Sequence, residues 1–83
     1  MARILYFAWI REKVGVAEER ITLPEQVGTV RQVIQFLRDK DSPHHEALSD
    51  PSLRVAVNQE YAQEDTPVSD RDEIAFFPPV SGG

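Results

Sequence analysis

The chain has 83 residues, a formal net charge of -5 and no cysteine. This length corresponds to a single domain, whose small core leaves little room for a deep catalytic cleft. The absence of cysteine excludes disulfides, thiolate metal sites and a cysteine nucleophile. The acidic balance, without any basic run, disfavours nucleic acid and anionic membranes as partners and fits a partner protein with a basic docking face.

The first predicted element is a central strand over RILYFAWI, a segment rich in aromatic and branched residues. The apolar run is too short to cross a bilayer, and REKVG follows it rather than a small-residue cleavage site. We therefore expect a cytoplasmic protein and no signal peptide. A turn at KVGVAEE and a half-buried strand at ERITLP come next.

One amphipathic helix is predicted over GTVRQVIQFLRDKD. Its apolar residues recur at helical spacing and form one stripe, which consists of Val30, Val33, Ile34 and Leu37. Thr29 and Gln32 predict a capping box at the start of the helix. The next segment, DSPHHEALSDP, is predicted to be a polar connection with a short helical turn after Pro43.

Two or three more strands complete the predicted fold. LRVAVNQ alternates, with Leu53, Val55 and Val57 inward; a short strand lies near Tyr61; and EIAFF follows a tight turn at SDRD. This order predicts an α+β roll in which a mixed sheet of four to five strands wraps over one main helix. The first and last strands are the most apolar and should lie side by side at the centre of the sheet.

One face of this sheet has no predicted cover, because a single helix can cover only the other face. The residues assigned to the uncovered face by alternation are Arg3, Leu5, Phe7, Trp9, Tyr61, Glu73, Ala75 and Phe77. So much exposed aromatic surface indicates an interaction surface. Two alternatives stay open: a register error of one residue would bury these aromatics, and a loop could fold over the face.

The last six residues, PPVSGG, are predicted to be a flexible reactive tail, which divides the chain into a domain at 1–77 and a tail at 78–83. Pro78 and Pro79 stiffen the exit from the last strand. Gly82 and Gly83 lack Cβ atoms, so a terminal carboxylate could pass through a narrow channel in a partner and react there. The alternative is an ordinary disordered terminus.

Three segments, ILYFAWIREKVG, VAVNQEY and DEIAFFPPVSGG, closely resemble the small subunits of molybdopterin synthase, the sulfur carriers of molybdenum-cofactor biosynthesis. The resemblance covers essentially the whole chain and implies the ubiquitin-like β-grasp fold. It also implies that an ATP-dependent activating enzyme adenylates Gly83, which is then converted to a thiocarboxylate (1-thioglycine), and that no cofactor is permanently bound. Sulfur would pass to precursor Z, cyclic pyranopterin monophosphate, to build the molybdopterin dithiolene.

The same resemblance implies two partners, the large synthase subunit and the activating enzyme, and a heterotetramer of two small and two large subunits. It assigns the tail-insertion role to Pro78, Pro79, Val80 and Ser81. Together with the strand alternation, it assigns the partner interface to Phe7, Trp9, Arg11, Tyr61 and Phe77. The catalytic groups would belong to the large subunit, so this chain would be a consumed and recharged co-substrate rather than an enzyme by itself.

The sequence offers weaker support for a metal site or a catalytic carboxylate site. His44 and His45 lack a spaced third ligand, so a solvated loop is favoured over a metal site. Asp70, Asp72 and Glu73 are interpreted as turn residues rather than a divalent-ion site or a catalytic carboxylate pair, and a role in docking a basic activating enzyme stays open. Three alternative functions are kept: a carrier for thiamine or transfer-RNA thiolation, a ubiquitin-like protein modifier, and an interaction domain without chemistry.

Overall fold

The computed structural model describes residues 1–79. In this part of the chain it contains five strands and three helices, which in chain order are β1 (Ala2–Tyr6), α1 (Ala8–Val14), β2 (Glu18–Ile21), α2 (Val30–Arg38), α3 (Ser42–Ala47), β3 (Arg54–Val57), β4 (Glu60–Tyr61) and β5 (Glu73–Phe77). The strands form one mixed sheet in the order β2-β1-β5-β3-β4. The predicted α+β β-grasp roll is confirmed.

The centre of the sheet is the parallel pair of β1 and β5, as the sequence predicted. On either side of this pair, β2 and β3 add antiparallel neighbours. Ile4, Tyr6, Ile74 and Phe76 of the central strands are fully or almost fully buried on the face that carries the helices. The Tyr6 and Phe76 rings stack with centroids 6.2 Å apart. Each such side chain contributes about 1.5–3 kcal/mol when it leaves water.

The longest helix, α2, packs its apolar stripe on this core. Val30, Val33 and Leu37 are fully buried, and Ile34 is half-buried. The Thr29 hydroxyl accepts a hydrogen bond from the Gln32 backbone N–H at 3.3 Å. The Gln32 side chain in turn accepts from the Gly28 backbone N–H at 2.8 Å. In a standard capping box the Gln32 side chain would accept from the Thr29 backbone N–H, but here it accepts from that of Gly28. The two hydrogen bonds together satisfy the backbone N–H groups of Gly28 and Gln32 at the start of the helix.

We expect Thr29→Ala to lower the free energy of unfolding by about 1 kcal/mol, because the Gln32 N–H loses its acceptor at the helix start. Urea denaturation measures the change. Thr22→Ala, at an exposed position after β2, is the matched control and should be nearly neutral. Equal losses in the two variants would contradict the capping role.

The first strand is shorter than predicted, because the chain leaves the sheet after Tyr6 and forms α1. Ala8 has a φ of 55°, in the left-handed region that residues other than glycine rarely occupy, and this turn redirects the chain. Ile10 is buried from α1 and not from a strand. The helix ends at Gly15, whose φ of 97° forms a left-handed C-cap.

The predicted polar connection contains the third helix, and the solvated-loop interpretation of His44 is wrong. The His44 side chain is only 5% exposed, with Nδ1 2.7 Å from Asp41 Oδ1 and Nε2 2.9 Å from Glu19 Oε1. The Asp41 carboxylate also accepts from the His44 backbone N–H, and these bonds hold the pKa of Asp41 below its usual value. Because Glu19 belongs to β2, His44 ties α3 to the sheet. His45 is exposed.

Candidate docking face and tail root

The uncovered side of the sheet is here called the outer face, and its floor is a row of residues with two alanines at its centre. The pairing places Leu5 beside Ala75, Ala75 beside Ala56, and Ala56 beside Tyr61, so these four residues line up across β1, β5, β3 and β4. Alanine at two central positions leaves the floor shallow. A flat apolar floor of this kind suits contact with another protein.

Aromatic side chains border this floor. Tyr61 is 78% exposed and Phe7 is 48% exposed. Phe77 is half-buried, and its ring lies 5.8 Å from that of Tyr61 in a tilted arrangement. Exposed aromatics next to one another are typical of interface centres rather than of free surface. The predicted outward placement of Tyr61 and Phe77 is therefore confirmed.

Charged residues occupy the end of the outer face near the Ser69–Asp72 turn. Arg3 lies 3.1 Å from both Glu18 and Glu73, and Arg20 lies 3.6 Å from Glu18. The hydrogen bond from Arg3 is the main reason that the pKa of Glu18 is held below its usual value. These exposed ion pairs contribute little stability each, but they neutralise this end of the face.

The opposite end of the outer face is where the tail begins, and Phe77 and Pro78 are here called the tail root. Because β1 and β5 are parallel, they end at the same edge of the sheet. The Phe7 backbone N–H donates to the Phe76 carbonyl oxygen at 3.1 Å, which holds Phe7 beside the tail root. Pro78 is half-buried and Pro79 is exposed. The predicted sites at Val80, Ser81, Gly82 and Gly83 lie outside the described residues.

Two predicted interface residues are not on the sheet. Trp9 was assigned to the outer face by strand alternation, and this placement is wrong: it lies in α1, half-buried, and packs against the core. Arg11 is also in α1 and is exposed, with its backbone N–H 3.4 Å from the Phe7 carbonyl oxygen. The structure thus brings Phe7, Tyr61 and Phe77 to the outer face or its edge, and leaves Arg11 one helical turn beyond Phe7.

Two outer-face residues, Arg54 and Ala56, were missed. The signal was present, because the prediction that Leu53, Val55 and Val57 point inward requires the residues between them to point outward. Arg54 pairs with Phe77 in the sheet and is exposed. It is the cationic neighbour of the tail root in β3.

Asp70 and Asp72 stabilise the turn before β5, as predicted, whereas Glu73 is the first residue of β5 and pairs with Arg3. Asp70 accepts a hydrogen bond from the Leu23 backbone N–H at 2.7 Å, and this bond is the main cause of its lowered pKa. Asp72 accepts from the Ser69 backbone N–H at 2.7 Å and from Asn58 at 3.0 Å. Within residues 1–79, no group of three or more histidine, cysteine or acidic side chains is arranged to hold a metal ion.

Over the same described range, no helix is long and apolar enough to cross a membrane.

Known proteins resemble this chain over nearly its full length. The family model described as ThiS matches residues 4–83. A protein named molybdopterin synthase sulfur carrier subunit from Escherichia coli (strain K12) is 39% identical over the whole of both chains. Its namesake from Haemophilus influenzae is 40% identical, again over the whole of both chains.

Two solved structures share the fold. A putative molybdopterin converting factor, subunit 1, from Pyrococcus furiosus has a TM-score of 0.78 and 32% identity, with 95% of this chain and 97% of the other covered. SAMP1 from Haloferax volcanii has a TM-score of 0.75 and 27% identity, with 99% and 98% covered.

Proposed function

This chain belongs to the ThiS family, and we propose that it is the sulfur carrier subunit of a molybdopterin synthase. The observation that supports this most strongly is the end-to-end match, without unmatched ends, to the carrier subunit of Escherichia coli at 39% identity. The resemblance of the ending FFPPVSGG to that of such carriers, noted from the sequence, supports the same function.

The proposed chemistry takes place at the Gly83 carboxylate. A carboxylate is a poor electrophile, so a carboxylate oxygen first attacks the α-phosphorus of ATP, held by an activating enzyme, and pyrophosphate leaves. Hydrosulfide supplied by a donor then displaces AMP from the acyl carbon, which gives the thiocarboxylate. In each of two deliveries the thiocarboxylate sulfur displaces an oxygen substituent from a carbon of precursor Z, and water hydrolyses the resulting thioester, so that the sulfur stays on the pterin and the carrier leaves as the carboxylate.

The outer face and the tail act as one device in this proposal. Six residues, 78–83, reach at most about 20 Å when extended. That length lets Gly83 enter a channel in the large subunit while the apolar floor stays docked at its entrance. Ordering the final four residues costs on the order of 4–8 kcal/mol, and burial of the aromatics around the floor, at about 1.5–3 kcal/mol each, offsets it.

The proposed partners are the large synthase subunit and the ATP-dependent activating enzyme. We infer a heterotetramer with two copies of each synthase subunit, located in the cytoplasm, with the acid–base groups on the large subunit. ATP is then a substrate of the activating enzyme, and this chain carries only the 1-thioglycine modification.

Reconstitution tests the function. The carrier is incubated with its activating enzyme, ATP and a sulfur donor, and then mixed with the large subunit and cyclic pyranopterin monophosphate. Molybdopterin should form in proportion to the charged carrier supplied. Formation of the charged carrier without any molybdopterin would instead indicate a carrier for thiamine or transfer-RNA thiolation.

Tyr61→Asp and Phe77→Asp should each weaken binding to the large subunit by at least about tenfold, because a carboxylate cannot be buried on an apolar floor without a partner. Isothermal titration calorimetry measures the dissociation constant. Tyr61 is 78% exposed, so its replacement should leave the fold intact. Gln35→Asp, exposed on α2 and away from the outer face, is the control. Unchanged affinity in both outer-face variants would show that docking uses another surface.

A second candidate, a protein modifier that forms isopeptide bonds with lysines, is favoured by the likeness to small archaeal modifier protein 1, seen at a TM-score of 0.72 and 28% identity in the Methanosarcina acetivorans protein. It predicts a ladder of high-molecular-weight conjugates in cells that disappears when Gly83 is deleted. The carrier function predicts no ladder.

A further inference from the structure

Within residues 1–79, the arginines on the strands of the outer face form ion pairs at one end of that face and not at the other. Near the Ser69–Asp72 turn, Arg3, Arg20, Glu18 and Glu73 neutralise one another. At the tail end, Arg54 forms no ion pair with any group in residues 1–79. The hydrogen bond of its side chain within this range is a long one, 3.5 Å from Nη1 to the Ser52 carbonyl oxygen.

The position of Arg54 is fixed by the sheet. It opens β3 and pairs directly with Phe77, the first residue of the tail root. The next residue, Val55, is buried, so alternation turns Arg54 to the outer face. Arg54 is therefore held beside the tail root by two regular strands and not by a mobile loop.

A second uncompensated cation lies on the other flank. The sheet order places β1 and β3 on opposite sides of β5. Arg11, in the helix that follows β1, also forms no ion pair within the described range. Among the described residues, β5 thus has an arginine without an ion pair in the strand on one side and another in the helix that follows the strand on the other side, on a chain whose formal net charge is -5.

Guanidinium groups fit one kind of complement best. They stay charged at any physiological pH and present a planar fork of donors that matches a carboxylate. An apolar floor supplies affinity but fixes orientation poorly, whereas charge pairs at the rim fix the register and speed association. A tail that must enter a channel needs a defined orientation.

We propose that Arg54 is a positioning residue that pairs with an acidic side chain on the rim of the channel through which the large subunit admits the tail. This inference rests on the proposed function. Arg54 cannot touch the reacting sulfur, because the extended tail carries Gly83 up to about 20 Å from the tail root. Its contribution is to docking and not to the chemical step.

The test compares Arg54→Glu with Arg71→Glu. The Arg71 side chain is exposed in the turn at the opposite end of the sheet. Because both variants replace an arginine by a glutamate, they have the same net charge and differ only in where the charge is changed. At low salt we expect the dissociation constant for the large subunit to rise roughly tenfold for Arg54→Glu and to change by less than about twofold for Arg71→Glu. The difference should shrink as salt is raised, because rim charges are screened.

Two further measurements separate charge from packing. Arg54→Gln removes the charge but keeps a polar side chain, and should show a smaller loss than Arg54→Glu. In the reconstituted synthase, Arg54→Glu should raise the KM for charged carrier and leave kcat unchanged, since only docking is affected. Circular dichroism melting should be unaltered, because Arg54 is exposed.

Three results would overturn the inference while the proposed function stands. They are equal weakening by Arg54→Glu and Arg71→Glu, a loss that does not depend on salt, and full affinity of Arg54→Glu when Tyr61→Asp binds weakly. Failure of the unmodified chain to bind the large subunit, or to support molybdopterin formation, would instead remove the proposed function itself.

Discussion

Deletion of Gly83 should abolish both thiocarboxylate formation and molybdopterin synthesis. The shortened chain still carries a terminal carboxylate, but one residue of extended backbone is about 3.3–3.6 Å, so the carboxylate falls short of the nucleotide and later of precursor Z. Reactions that depend on near-attack geometry lose rate by orders of magnitude for smaller displacements. Intact mass spectrometry after incubation with the activating enzyme, ATP and a sulfur donor measures the first step. The unmodified chain should gain the mass difference between sulfur and oxygen, and the deletion variant should gain nothing.

Two controls accompany this deletion. One additional residue after Gly83 should also abolish charging, provided that mass spectrometry shows it is not trimmed. Gly28→Ala, at a glycine inside the domain, should charge normally: the nearest atom to an added Cβ there is Gln32 Oε1 at 4.0 Å, and no positive φ is required. Normal cofactor production by an untrimmed, extended chain would rule out Gly83 as the reactive residue.

Phe76→Ala should have the largest effect on stability, a loss of about 3–5 kcal/mol in the free energy of unfolding. Phe76 is 0% exposed, sits in a central strand and stacks on Tyr6. Its removal leaves a cavity that the rigid parallel pair cannot close. Because domains of this size are stable by about 5–15 kcal/mol in total, a large part of the population could unfold. Urea denaturation measures the loss.

The neighbouring phenylalanine is the matched control. Phe77 is only half-buried and points to the outer face, so Phe77→Ala should cost roughly 1 kcal/mol of stability while weakening attachment to the large subunit. The two variants should therefore separate folding from docking. Similar stability losses in both would mean that the alternation of β5 is misassigned.

The strands were predictable where apolar inward-facing residues alternate regularly with outward-facing ones. In β5, buried Ile74 and Phe76 alternate with half-buried Ala75 and Phe77, and the order of these residues in the sequence is enough to predict that Phe77 lies on the outer face. The same reasoning in β3 implies an outward Arg54. Helix α2 was equally clear, because its apolar stripe and the Thr29 cap agree.

The first helix could not be predicted in this way. ILYFAWI is uniformly apolar, so neither a period of two nor of 3.6 residues stands out. The break at Ala8 depends on a positive φ, for which alanine gives no signal. Trp9 consequently moved from the predicted outer face to the packing surface of α1. Tertiary packing, and not local sequence preference, therefore determines that this segment forms a helix.

His44 shows a second limit. Its two partners are Asp41, three residues away, and Glu19, 25 residues away. A histidine can be buried when both ring nitrogens find partners, but a partner on a distant strand is invisible to local pattern reasoning. The residues that form the apolar floor of the outer face come from four strands, yet each is identified by the alternation of its own strand, which explains why that surface was easier to predict.

The parallel pairing of β1 and β5 affects how the protein folds while it is being synthesised. Arg3 and Glu73 are neighbours in the sheet although 70 positions separate them along the chain. Contacts of such long range form late, since most of the polypeptide must be available first. A nascent chain on the ribosome therefore cannot assemble the middle of its sheet until β5 has emerged, and the residues that follow β5 emerge last. A copy whose synthesis stops before β5 has no central strand pair, and a copy that stops anywhere before residue 83 lacks the terminal glycine that the proposed activation requires.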